Sequence, residues 1–229
     1  MGYRLESDKL QVDIAELDYY PGQRFDHTGF ITQVRLQTSE HTFCVQESPI
    51  PGEGTGGEGL CNEFGLFTSI GYEDAAVGEC FPKLGVGNLT KKEDAKYHQF
   101  QEFAVEPFHT EIESSKDRIR YTVHPKECRG YAVRQEKIIS VKGATLTVEY
   151  RLDNVGSKRI ETDEYIHNFL RVDDHAIGPD YVLMFPASLQ LIDPQPELIK
   201  DLNIQDNVVR WITIPTECFY AKMKGFPQG

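Results

Sequence analysis

Between Thr145 and Asp153, apolar Leu146, Val148, Tyr150 and Leu152 alternate with Thr147, Glu149, Arg151 and Asp153. A period of two puts one set on a buried face and the other in solvent, the pattern of a half-buried strand. Asn154, Gly156 and Ser157 then supply turn chemistry, and Glu161 to Phe169 carry the chain back as a second extended run. That run holds His167 on a β scaffold among polar and aromatic neighbours, which makes it a candidate acid or base for chemistry near neutral pH. Tyr165 and Phe169 share its side of an ideal strand and offer an apolar wall, while Asn168 offers a polar anchor.

The same reading extends over most of the chain. Gln11 to Ile14, Gly29 to Leu36, His41 to Gln46, Arg118 to His124, Tyr131 to Val141, Tyr181 to Phe185 and Val208 to Ile214 are short, rich in β-branched or aromatic residues, and bounded by Gly, Pro, Asn or Asp. Lys142-Gly143 and Asn154 to Ser157 are expected to be hairpin turns. The helical competitors, Lys91 to Phe100 and Pro196 to Leu202, are short. The expectation is therefore an all-β fold, a large antiparallel twisted β-sandwich, with residues 1–229 as one domain, because sandwiches of roughly 200 to 250 residues commonly fold as a unit.

Composition removes several function classes. The formal net charge is −12 and no basic run offsets it, which argues against nucleic acid or an anionic membrane surface as partner. No apolar run approaches the roughly 20 residues that span a bilayer, and Arg4, Glu6, Asp8 and Lys9 stand where a secretory peptide needs an apolar core. A soluble, cytoplasmic protein is expected. Cys44, Cys61, Cys80, Cys128 and Cys218 are an odd, scattered set without a C-x-x-C pair, which fits reduced thiols better than a disulfide framework or a zinc site.

Gly52 to Gly57 matches G-x-G-x-x-G, but no helix pattern follows it and Glu53 and Glu58 repel a phosphate, so no cofactor is expected. The surrounding segment Pro49 to Gly59 reads as a mobile rim loop. Asn88-Leu89-Thr90 has the form of a glycosylation acceptor without the secretory signal that would give it meaning. Asp173, Asp174, His175 and Asp180 read as a polar turn around Gly178-Pro179, and no metal is expected there. In Gly59 to Gly65, Asn62 and Glu63 beside an aromatic ring have the makings of a sugar contact, with hydrogen bonds to hydroxyls and a ring against the sugar face. In Phe81 to Gly87, Lys83 precedes two glycines. It is either a cationic donor at the edge of a concave site or an exposed lysine on a glycine-kinked strand.

Leu146 to Leu152, Asn154, Gly156 and His167-Asn168-Phe169 together resemble the central part of the galactose mutarotase-like (aldose 1-epimerase-like) superfamily. Arg24 to Ile31 resembles the early strand region of that group, and Phe81 to Gly87 fits its atypical branches. The resemblance implies a twisted antiparallel supersandwich that binds a monosaccharide or sugar derivative in a groove. It further implies a histidine, here His167, that protonates the ring oxygen while a glutamate takes the anomeric proton. Glu217 stands nearest to the glutamate position, although the family places that base on a late strand followed by others, so either the chain is shortened or the final strands, and catalysis with them, are lost. An open edge would then call for a partner chain, in a homo-oligomer for example. Asn62, Glu63, Lys83, His98, Asn168 and Asp180 are the expected substrate contacts, with His98 in the second histidine position. Lys83 beside the groove would favour an acidic sugar. The competing reading is a non-catalytic carbohydrate-binding or regulatory domain that keeps the groove and lacks the base. Another carbohydrate-active enzyme on the same sandwich is a third.

Overall fold

The computed structural model describes residues 2–48, 50, 52–215 and 220–225. Strand makes up 43% of it and helix 2%, so the chain is all-β, and its sheets are antiparallel. The chain divides into two compact units, Met1–Asp173 and Asp174–Gly229.

In the first unit the chain lays down β1 (Tyr3–Glu6), β2 (Leu10–Ile14), β3 (Ile31–Leu36), β4 (His41–Thr42) and β5 (Leu60–Phe64). Next come β6 (Cys80–Lys83), β7 (Gly87–Thr90) and β8 (Ala104–Pro107). The meander β9 (His109–Ser114), β10 (Arg118–His124), β11 (Val133–Lys142) and β12 (Thr145–Asn154) follows, and β13 (Glu164–Asn168) comes last. One sheet runs β1-β2-β3-β5-β13 with β4 beside β3, a second runs β12-β11-β10-β9, and a third runs β6-β7-β8. The second unit holds β14 (Val182–Met184), β15 (Gln190–Leu191), the short helix α1 (Pro196–Ile199), β16 (Leu202–Gln205), β17 (Val208–Trp211) and β18 (Met223–Lys224). Its sheets are β14-β17-β16 and β15-β18. Among the described residues no helix is long and apolar enough to cross a membrane.

The period-two pattern explains the core. Leu5, Val12, Ile14 and Ile31 of the first sheet pack with Ile119, Tyr121, Ile139 and Val141 of the second, all essentially inaccessible to water. Each such aliphatic contributes about 1.5–3 kcal/mol by leaving water. Lys142-Gly143 is the expected hairpin, with Lys142 opposite Thr145 and Gly143 at φ 55°. Asn154 to Ser157 does turn the chain, since Asn154 Oδ1 accepts from the Gly156 N–H at 3.1 Å. It is not a hairpin, however, because β13 leaves β12 and pairs with β5 in the other sheet. Lys91 to Phe100 forms no helix and remains irregular. Asn88, of the glycosylation-like triplet, is buried and donates to Lys126 O. The expectation of five reduced thiols is corrected: Cys80 and Cys128 form a disulfide that ties β6 to the turn before β11. Cys44 and Cys61 are free, and Cys218 lies outside the described residues.

The interior of the first unit is not purely apolar. β11 directs Gln135 and Lys137 inward in phase with Val133, Ile139 and Val141. The Lys137 ammonium donates to Thr28 O at 2.7 Å and Gly29 O at 3.3 Å, and lies 3.7 Å from Asp26 Oδ2. The Asp26 carboxylate also accepts from the Thr28 amide and hydroxyl, the Gln135 amide and the Tyr150 hydroxyl. Gly85, at φ 71°, is pressed against this carboxylate where a Cβ has no room. Removing one partner of a buried pair strands the other charge without solvent, so Asp26→Ala is expected to lower stability by about 3–5 kcal/mol. Adding Lys137→Met should recover much of that loss in urea unfolding. A single variant within about 1 kcal/mol of the parent would contradict the pairing.

Candidate functional site

β13 shows two different faces. Paired antiparallel with β5, it sets Tyr165 opposite Glu63 and His167 opposite Cys61, while Ile166 meets Asn62 and Asn168 meets Leu60. Directly opposed residues share a face, so Glu63, Tyr165 and His167 stand together on one side and Asn62, Glu164, Ile166 and Asn168 on the other. The register thus splits Asn62 from Glu63 and Asn168 from His167.

On the first face His167 is 6% exposed. Phe25 meets it edge-on at 5.0 Å between centroids, Tyr165 lies 3.9 Å away, and Phe169 stacks at 5.8 Å. The Tyr165 ring is half exposed and the imidazole is not. Imidazole Nε2 lies 3.1 Å from Glu63 Oε2. A carboxylate only accepts, so this bond places the ring proton on Nε2 and leaves Nδ1 as the basic nitrogen of the neutral ring.

Glu63 is wholly buried, and its Oε2 also accepts from Arg24 Nε at 2.8 Å. Among the described residues nothing donates to the other oxygen, Oε1. The Arg24 guanidinium lies over the Phe25 and Phe100 rings, at 4.9 and 5.1 Å from their centroids. Its Nη1 donates to the Thr55 hydroxyl at 2.7 Å. Thr55 belongs to the glycine-rich loop, which Glu47 Oε2 gathers by accepting from the Thr55 amide, the Thr55 hydroxyl and the Gly57 amide. These bonds hold Glu47 as a carboxylate below its ordinary pKa against the opposing effect of burial, the largest single influence on it. A Cβ at Gly57 would stand 2.6 Å from the Phe169 ring. The described part of the loop is therefore tied over the His167 cluster, where a free rim is expected from sequence.

Lys83 is neither a groove-edge donor nor an exposed lysine but a buried residue of β6. It is 1% exposed and donates to the Tyr97 hydroxyl at 3.0 Å and to Gly65 O at 3.3 Å. Burial pushes its ammonium down to about 8, against the opposing pull of Glu63 and Asp163. With its donors turned inward, it does not present the accessible cation that would favour an acidic sugar.

Of the other expected contacts, His98 is exposed in the loop between β7 and β8, its ring 5.0 Å from Phe100, whose ring carries Arg24. Asn62 is buried, donating to Glu164 at 2.8 Å and accepting from Lys137 at 3.4 Å. Asp180 is exposed in the second unit, and Glu217 lies outside the described residues. Asp173 of the polar turn caps β4 instead, accepting from the Thr42 amide at 2.8 Å and pairing with His41. Sequence reasoning passes over Arg24 as a site residue and over Lys137 altogether. The signal for Lys137 is its inward phase on β11, and for Arg24 its place among Tyr19, Tyr20, Phe25 and Phe30.

A lysine whose proton is held less tightly in the folded chain than in the unfolded one makes stability rise with pH. For Lys83 that contribution is complete above the ordinary value of 10.5 and is lost as the pH falls through about 8. Relative to Lys83→Met, the parent chain should gain up to about 1.4 kcal/mol per pH unit across this window in urea unfolding. A stability difference that stays flat with pH would contradict the burial of the charge. Comparison with protein-family profiles, curated proteins and solved structures finds no match to this chain.

Proposed function

We propose that the chain is a carbohydrate-binding protein that takes a sugar ring against the β5–β13 face, on a sandwich similar to that of the mutarotase-like proteins. The observation that carries this reading is Glu63 Oε1, a buried carboxylate oxygen without a donor among the described residues. Leaving such an acceptor dry and unpaired costs about 1–3 kcal/mol or more, which a donor from outside the chain removes. A sugar hydroxyl is such a donor, and its ring C–H face suits the Tyr165 and Phe100 rings at the edge of the cluster.

The aldose 1-epimerase reading comes second, favoured by the His167–Glu63 hydrogen bond, which holds the imidazole in one tautomer as acid–base work requires. Two observations weigh against it. The imidazole is 6% exposed, and the carboxylate nearest to it is bonded to it rather than facing it across a sugar-sized gap.

Calorimetry with glucose, galactose, xylose and glucuronate, paired with saturation-transfer NMR of anomer exchange, separates the two. Binding without faster exchange, weakened at least about tenfold by Glu63→Gln as loss of a charged hydrogen bond implies, is the expected result. Binding with faster exchange that His167→Ala abolishes would establish the isomerase instead. If none of the sugars binds, both readings fail.

A further inference from the structure

The opposite face of β13 opens on a cleft of about 280 Å³ between the two main sheets. β5 and β13 form one wall through Leu60, Asn62, Glu164 and Ile166, and β12 forms the other through Val148 and Tyr150. β12 and β13 are the outermost strands of their sheets, which is why the cleft has a mouth. Val148 and Ile166 leave 38% and 58% of their surface exposed there, so the entrance is apolar on both sides.

The polar groups are unevenly matched. Lys137 is on the floor, but its ammonium is committed to Thr28 O, Gly29 O, Asn62 Oδ1 and the Asp26 carboxylate. The Tyr150 hydroxyl donates to Asp26 as well. Glu164 is the remaining charge. Its Oε1 accepts from Asn62, and among the described residues no lysine or arginine forms an ion pair with it. Partial burial raises its pKa, against the opposing effects of the Asn62 bond and the Lys137 charge.

From this cleft we infer a second binding site, separate from the sugar face, for a small organic ammonium ion with an apolar body. The cation would pair with the Glu164 carboxylate and the apolar part would lie between Val148 and Ile166. Charge complementarity selects the cation, because an anion would meet Glu164 and find the donors of Lys137 occupied. A neutral ligand of the same shape would gain the apolar contact alone.

Cyclohexylammonium, cyclohexanol and cyclohexanecarboxylate share a body and differ in charge, so ligand-observed NMR titration with these three is the direct test. The ammonium is expected to bind at least tenfold more tightly than the alcohol, with the carboxylate weaker still. Glu164→Gln should reduce the ammonium to the level of the alcohol, and Val148→Trp, which fills the mouth without touching a charge, should weaken both. Equal binding of ammonium and alcohol, no binding of either, or an ammonium preference that survives Glu164→Gln would overturn the assignment. Sugar binding measured on the same variants should be unchanged, which keeps this outcome distinct from that of the β5–β13 face.

Discussion

The buried pair of Asp26 and Lys137 is the interaction on which the rest of the first unit depends. Its members and their partners come from both main sheets and from the loop before β3: Lys137 and Gln135 from β11, Tyr150 from β12, Asn62 from β5, and Thr28 beside Asp26. An apolar core tolerates small slips because hydrophobic contact is non-directional. A buried charge does not, since each donor and acceptor left behind by a slip loses both water and partner. The pair therefore weighs against other registers more than it adds net stability, and two well-packed apolar residues would hold the sheets together at least as well.

That constraint reaches the candidate site through one residue. Asn62 bonds Lys137 on the inner face of β5, so Glu63, the next residue, must point to the outer face. There it meets Arg24 from the early loop and His167 from β13, and Arg24 in turn holds the glycine-rich loop through Thr55. Two segments distant in sequence from β5 thus converge on a single carboxylate, and the glycine-rich loop joins them through Arg24. The same alternation places Glu164 on the inner side of β13, so one edge strand presents chemically different groups on its two faces.

How much of this can be read from sequence depends on how local the cause is. β10 and β12 are legible because their apolar residues alternate with polar ones, and β11 because it is rich in β-branched residues, although its inward Gln135 and Lys137 break the apolar alternation. The tight turn at Lys142-Gly143 is legible for the same reason, since turn and pairing are set by adjacent residues. Asn154 to Ser157 is only half legible. Its turn chemistry is local, but the choice of β5 over β12 as the partner of β13 is made by contacts far away in sequence. β5 itself, and the β6–β7 hairpin, carry Asn62, Glu63, Lys83 and Asn88 at buried positions, so they do not look like core strands. His167 and Glu63 are both identifiable as candidates. That they bond each other, and that Arg24 completes the group, depends on a fold that joins residues 39 and 104 positions apart.

If an outside hydroxyl completes the hydrogen bonding of Glu63, as proposed, the His167 imidazole bonded to that carboxylate is a built-in reporter of it. The ¹⁵N resonances of the seven histidine rings, followed while a binding sugar is titrated, test this most directly. An Nε2-protonated ring is expected for His167, with shifts that move with saturation, while exposed His109 and partly exposed His124, paired with Glu111, stay still. A sugar that binds and leaves the His167 ring unmoved would contradict it.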